Sequence, residues 1–83
     1  MSYTIDWDER ALGVAARYLG EDQPGLLQLF QAVDELADAP RPPDSREFGS
    51  PDRRRLHVGR YRVLYQIRDD LRTVMIAHVG RVP

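Results

Sequence analysis

The sequence predicts an α+β fold of order β-α-α-β-β-β, with a helical hairpin packed on one face of a small antiparallel sheet. Three observations carry this. Tyr3-Thr4-Ile5-Asp6-Trp7 alternates apolar and polar with the period of a half-buried strand. From Leu12 to Ala37 apolar residues recur at helical spacing, interrupted once at residues 20–23. Residues 52–65, DRRRLHVGRYRVLY, read as a β-hairpin closed by Gly59-Arg60.

The bulk numbers fit one small domain spanning residues 1–83. Hydrophobic residues at 42% and charged residues at 30% are those of a soluble globular chain. Without cysteine there is neither a disulfide nor a thiolate zinc site. No apolar run reaches the roughly 20 residues of a membrane helix, and no basic-then-apolar leader opens the chain. The expectation is a cytoplasmic protein with no membrane partner. Net charge is −1, but residues 1–43 hold eight acids against three arginines, and residues 44–83 hold nine arginines against five acids. That split suggests a half that faces a polyanion, or a mixed-sign surface divided arbitrarily. All twelve basic residues are arginine, so every cation is permanent and carries a planar fork suited to phosphate.

Tyr3, Ile5 and Trp7 face inward from the first strand. Asp8 is placed to cap a helix over residues 9–19, with Leu12, Ala15, Ala16 and Leu19 on its apolar face and Gly20 at its end. Asp22 or Gln23 caps a second helix, with Pro24 near its first position and an inward stripe of Leu26, Leu29, Phe30, Val33, Leu36 and Ala37. The short link makes the two helices antiparallel. Pro40, Pro42 and Pro43 end the second helix and force an extended connector. Arg46-Glu47-Phe48 is a short extended piece, and residues 49–52 turn again. Strands follow over residues 53–58, 61–67 and 71–79, with a reversal at Asp69-Asp70.

A two-residue turn sets register. It places Val58 opposite Tyr61, His57 opposite Arg62, Leu56 opposite Val63 and Arg55 opposite Leu64. Alternation then sends Leu56, Val58, Tyr61, Val63, Tyr65 and Ile67 toward the helices, joined by Val74 and Ile76. Arg53, Arg55, His57, Arg62 and Leu64 point the other way, joined by Met75, Ala77, Val79 and Arg81; Arg54 lies at the rim of the core side, and His78 is assigned to the core. A face both cationic and partly apolar is read as a binding surface.

Converging arginines suit a phosphate that gains negative charge. RNA cleavage by its own 2′-hydroxyl needs a base, charge stabilisation and an acid. Arginine supplies the second and is a poor proton carrier. On this face His57 is the residue of a type that exchanges protons near neutrality, which makes it a catalytic candidate against the plainer reading of an incidental strand histidine. No metal cluster, phosphate-binding glycine loop or cofactor fingerprint is present.

The run Leu56-His57-Val58-Gly59-Arg60-Tyr61-Arg62-Val63-Leu64-Tyr65, with Ile67, Asp69-Asp70 and Ala77-His78-Val79-Gly80-Arg81, resembles the signature of the RelE/ParE toxin superfamily. The proline-rich exit from the helix pair and the element order are similar too, so the resemblance spans the chain. Its closest likeness is to RelE-type mRNA interferases of type II toxin–antitoxin systems. That implies a ribosome-dependent endoribonuclease, without metal or cofactor, leaving a 2′,3′-cyclic phosphate and a 5′-hydroxyl. It implies catalytic roles for Arg53, Arg55, Arg62 and Arg81 beside His57, and RNA contacts from Arg53, Arg54, Arg55, Arg60 and Arg62. The implied partners are ribosome and mRNA, and a cognate acidic RelB-like antitoxin that covers Leu64, Met75 and Val79, in a toxin–antitoxin heterotetramer. Aligned strictly, Val82 takes the place of the family's C-terminal catalytic arginine, with Arg81 one position early, and no terminal tyrosine or closing helix follows. The alternatives are a ParE-like gyrase inhibitor and a catalytically weakened RelE homologue that mainly binds its antitoxin.

Overall fold

The computed structural model describes residues 2–83. Strand β1 (Thr4–Trp7) leads into helix α1 (Glu9–Glu21) and helix α2 (Gln23–Glu35). Strands β2 (Ser45–Ser50), β3 (Arg53–Val58) and β4 (Tyr61–Arg68) follow, then a single 3₁₀ turn at Asp69–Leu71 and strand β5 (Thr73–Arg81). They form one five-stranded sheet in the order β1-β5-β4-β3-β2. The helices cover one face of it.

Local chemistry explains the helix ends. The Asp8 carboxylate accepts from the N–H groups of Arg10 and Ala11 at 3.1 and 3.3 Å, satisfying donors that the first turn leaves free. Helix α1 runs through Gly20, and Asp22 both ends it and caps α2. The Asp22 side chain accepts from the Gly25 N–H at 3.2 Å and from the Tyr61 hydroxyl at 2.7 Å. Those two bonds, the tyrosine's first, hold its carboxyl below the usual range. One residue thus joins both helices to β4.

The sheet differs from the predicted one in two respects. It is mixed, because β1 lies parallel to β5, with Ile5 opposite Val74 and Trp7 opposite Ile76. It also has a fifth strand: the piece around Arg46 pairs antiparallel with β3. Strand partners far apart in sequence leave no local trace, whereas the β3–β4 hairpin does. There the register matches the predicted one at all four pairs, from Val58–Tyr61 to Arg55–Leu64. Gly59 has φ +58 and Arg60 does not share a positive φ, as a type II′ turn requires.

The core contains Leu26, Leu29, Val33 and Leu36 from the second helical segment and Leu56, Tyr61, Val63, Tyr65, Ile67, Val74, Ile76 and Val79 from the sheet. Helix α1 presents Ala11 and Ala15, with Val14, Tyr18 and Leu19 beside them. Leu12 and Ala16, assigned inward from the sequence, are exposed. The helix is rotated so that small side chains face the strands, which allows close approach. The proline-rich connector is tied down: the Tyr65 hydroxyl donates to the Pro40 carbonyl at 2.6 Å, and Ser45 Oγ donates to the Pro42 carbonyl at 2.9 Å.

One irregularity decides what the outer face carries. Tyr65 pairs with Ile76, but Leu64 pairs with His78, so Ala77 is an extra residue in β5. Such a bulge swaps the two faces for everything beyond it. Met75 stays on the arginine face, 38% exposed. Past Ala77 the predicted sides reverse. Val79, expected on the arginine face, is buried at 1% against the core. His78, expected in the core, is exposed on the arginine face. Arg81 pairs with Tyr61 and turns to the helix side.

Candidate functional site

Pairing across β3, β4 and β5 lays the outer side chains in rows about 5 Å apart. At the far end are Arg53, Gln66 and Met75. The middle row is Arg46, Arg55, Leu64 and His78. Nearest the hairpin turn are His57, Arg62 and Gly80. An open cleft of about 230 Å³ lies over the last two rows, lined by Phe48, Arg55, Arg62, Leu64, His78 and Val82 among others. Phe48 reaches it because the β2–β3 ladder skips two residues between Glu47 and Ser50. Gly49, at φ +88, makes that excursion possible. The Arg55 guanidinium lies 5.1 Å from the Phe48 ring centroid, so the ring orients the cation without neutralising it.

Among the described residues, the ion-paired arginines are Arg41, Arg68 and Arg81. None is a cation of the cleft's middle row. Arg62 Nη1 donates to the carbonyls of Gly59 and Tyr61 at 2.8 and 2.9 Å, which leaves its charge uncompensated. Arg46, Arg55 and Arg62 are in no salt bridge among the described residues and together make a net positive surface, which favours an anion arriving from solution.

His57 sits inside that field. Its Nε2 is sealed from solvent with no hydrogen-bond partner among the described residues. Burial pushes its pKa below the ordinary value, and Arg62, Arg55 and Arg46 push it further, against a small opposing pull from Asp44. The ring is thus neutral at pH 7. Because the folded chain binds the proton less readily than the unfolded chain, stability is full above about pH 6.5 and falls as pH drops toward and through the folded value. Urea midpoints at pH 7.5 and 5.5 should differ more in the native chain than in a His57→Gln variant. Equal differences would show that this imidazole is not the cause.

The structure thus brings together Arg55, His57, Arg62 and Leu64 of the residues expected at the site. Arg53 shares the face but stands at its far end. Arg54 lies on the core side, where its Nε donates to Ser45 Oγ at 2.7 Å and its Nη2 to the Ser45 carbonyl at 2.9 Å. It braces β2 rather than facing the cleft. Arg60 is at the turn, 5.7 Å from the Tyr61 ring centroid. Arg81 lines the end of the cleft beside Val82, but its guanidinium is drawn toward the helix side by Glu21 at 2.7 Å and lies 4.2 Å from the Tyr18 ring centroid. Three residues were missed: Arg46, Phe48 and His78. The alternation of Arg46 and Phe48 in an extended piece just before the hairpin was the available signal for the first two. For His78 the sequence offers none, since nothing marks Ala77 as a bulge.

Residues 5–82 match the family model of the ParE toxin of the parDE type II toxin–antitoxin system. The chain belongs to the RelE/ParE toxin superfamily. It is a toxin of type II toxin–antitoxin class. Among solved structures it is similar to the isolated E. coli RelE toxin, with a TM-score of 0.82 and 30% identity over 99% of this chain and 86% of that one. The intact E. coli RelBE toxin–antitoxin complex gives a TM-score of 0.81 and 30% identity over 99% of each chain. The RelE of the archaeal RelE–RelB complex from Pyrococcus horikoshii shares the fold at 18% identity, with a TM-score of 0.79 over 98% of this chain and 96% of that one. A comparison with curated protein sequences gave no match. No helix among the described residues is long and apolar enough to cross a membrane.

Proposed function

We propose that this toxin is an endoribonuclease that cuts mRNA on the ribosome, in the cytoplasm. The observation that carries this is the cluster of Arg46, Arg55 and Arg62 around His57, in which none of the three arginines is ion-paired. In the reaction the 2′-oxygen bonds to phosphorus and the bond from phosphorus to the 5′-oxygen breaks, leaving a 2′,3′-cyclic phosphate and a 5′-hydroxyl. Arg62 and Arg55 stabilise the charge that builds on the phosphoryl oxygens. Arg53 and Arg60, exposed at the ends of the hairpin, steer the RNA backbone by charge. Arg81 contributes only if it leaves Glu21, and Arg54 serves as framework. The likeness to E. coli RelE, isolated and bound to its antitoxin, supports this reading and an acidic RelB-like antitoxin as partner, in a heterotetramer. Leu64 and Met75, with exposed Val82, are the apolar surface such a segment would cover; buried Val79 is not.

Expression of the chain without an antitoxin should arrest growth and place cuts in translated mRNA at the ribosomal A site. The match to the ParE model favours a second reading, a gyrase-directed toxin that is not an enzyme. A DNA-damage response with intact mRNA would select that reading and reject the first.

A further inference from the structure

We infer that His78 is the general base of this site, taking the proton from the attacking 2′-hydroxyl; the inference rests on the endoribonuclease reading above. Three observations converge on it. The bulge at Ala77 delivers His78 to the arginine face, directly across from Leu64 and in the row that holds Arg55. The side chain is exposed and lines the cleft that Arg55 and Arg62 also line. Its imidazole lies along the strand over Gly80: a Cβ at that position would stand 3.4 Å from Nε2 and 3.9 Å from Cδ2. Gly80 is the residue paired with Arg62. A single methyl at position 80 would only touch the ring, but a branched side chain there would crowd it on the strand position that faces Arg62.

Arg62 consequently has an imidazole-bearing neighbour on each side, His57 on β3 and Gly80 with His78 above it on β5. The two differ in access. His57 Nε2 is sealed, whereas His78 is open to the cleft. A phosphate seated on Arg62 would meet His78 first. In the step, neutral His78 accepts the 2′-hydroxyl proton as the 2′-oxygen bonds to phosphorus. The bond to the 5′-oxygen breaks, that oxygen takes a proton from water, and the imidazolium returns its proton to the resulting hydroxide. Atoms and charge balance without any other reactant. The charged groups around the ring are Arg62 from β4, Arg55 from β3, Arg81 from its own strand, and Asp8 and Arg10 at the start of α1 across a second groove.

The test is single-turnover cleavage of mRNA on programmed ribosomes from pH 5.5 to 8.5. It compares the native chain with His78→Gln and with Gly80→Val, whose side chain displaces the ring. Each variant should cut about 100-fold more slowly, sediment with ribosomes as the native chain does, and lose the fall in rate toward acid pH. A His78→Gln variant that cuts within threefold of the native rate overturns the proposal. So does one that slows yet keeps the acid limb, because its histidine would then be structural. If the native chain itself cuts nothing on translating ribosomes, the endoribonuclease reading fails and this proposal fails with it.

Discussion

Arg62→Ala should lower mRNA cleavage on programmed ribosomes by about 100- to 1,000-fold, the loss typical of one preorganised donor aimed at developing charge. Arg62 stands at the centre of the last row, between His57 and Gly80, with no carboxylate to share its charge. Its present bonds are to the Gly59 and Tyr61 carbonyls near an exposed turn. A typical hydrogen bond contributes about 0.5–1.5 kcal/mol to folding and one from a charged donor somewhat more, so the variant should fold but melt modestly below the native chain. Arg62→Lys keeps the charge but loses the two-pronged geometry, and should fall between. Arg53→Ala is the control: at the far end of the face it should cost a few-fold at most, and that loss should shrink as salt rises. Rates for the three variants, each with a melting curve, check this. Equal losses for Arg53→Ala and Arg62→Ala would mean that the face acts as an undifferentiated positive surface. Arg62 would then be no centre of catalysis.

What the sequence made legible was local. The Asp8 cap, the proline at the start of α2 and the two-residue turn at Gly59 each act within a few residues, and each is where it was expected. The turn alone determined which side chains of β3 and β4 share a face, and hence the grouping of Arg55, His57 and Arg62. What was illegible was non-local. Pairing of β1 with β5 joins residues about 70 positions apart, and the fifth strand shows itself only once β3 is there to pair with it. Most consequential was Ala77. A period of two carried through β5 sends Val79 and Arg81 outward and His78 inward, and one extra residue reverses all three. The cost of that reversal is borne by function rather than by fold. Either register buries a valine or a histidine, but only the observed one delivers an imidazole to the cleft and hands Arg81 to Glu21.

Val79→Asp should unfold the domain at room temperature or leave it barely stable, whereas Leu64→Asp should melt almost as the native chain does. Val79 is buried at 1%, paired with fully buried Val63, within the cluster that joins the sheet to both helices. A carboxylate there would have no partner. Whether it stays charged or takes up a proton, the burden is several kcal/mol. A chain of this size has a total stability of only about 4–12 kcal/mol. Leu64 lies on the opposite face, half-buried at the cleft, where an aspartate keeps its water and gains arginines as neighbours. Urea denaturation followed by circular dichroism separates the two cases. With an unbroken β5 the expectation inverts: Val79 would stand outside beside Met75, and its aspartate variant would fold normally while weakening a partner contact. A native melting curve for Val79→Asp would therefore remove the bulge, and with it the placement of His78. A collapsed one would tie the burial of this valine to the extra residue two positions before it.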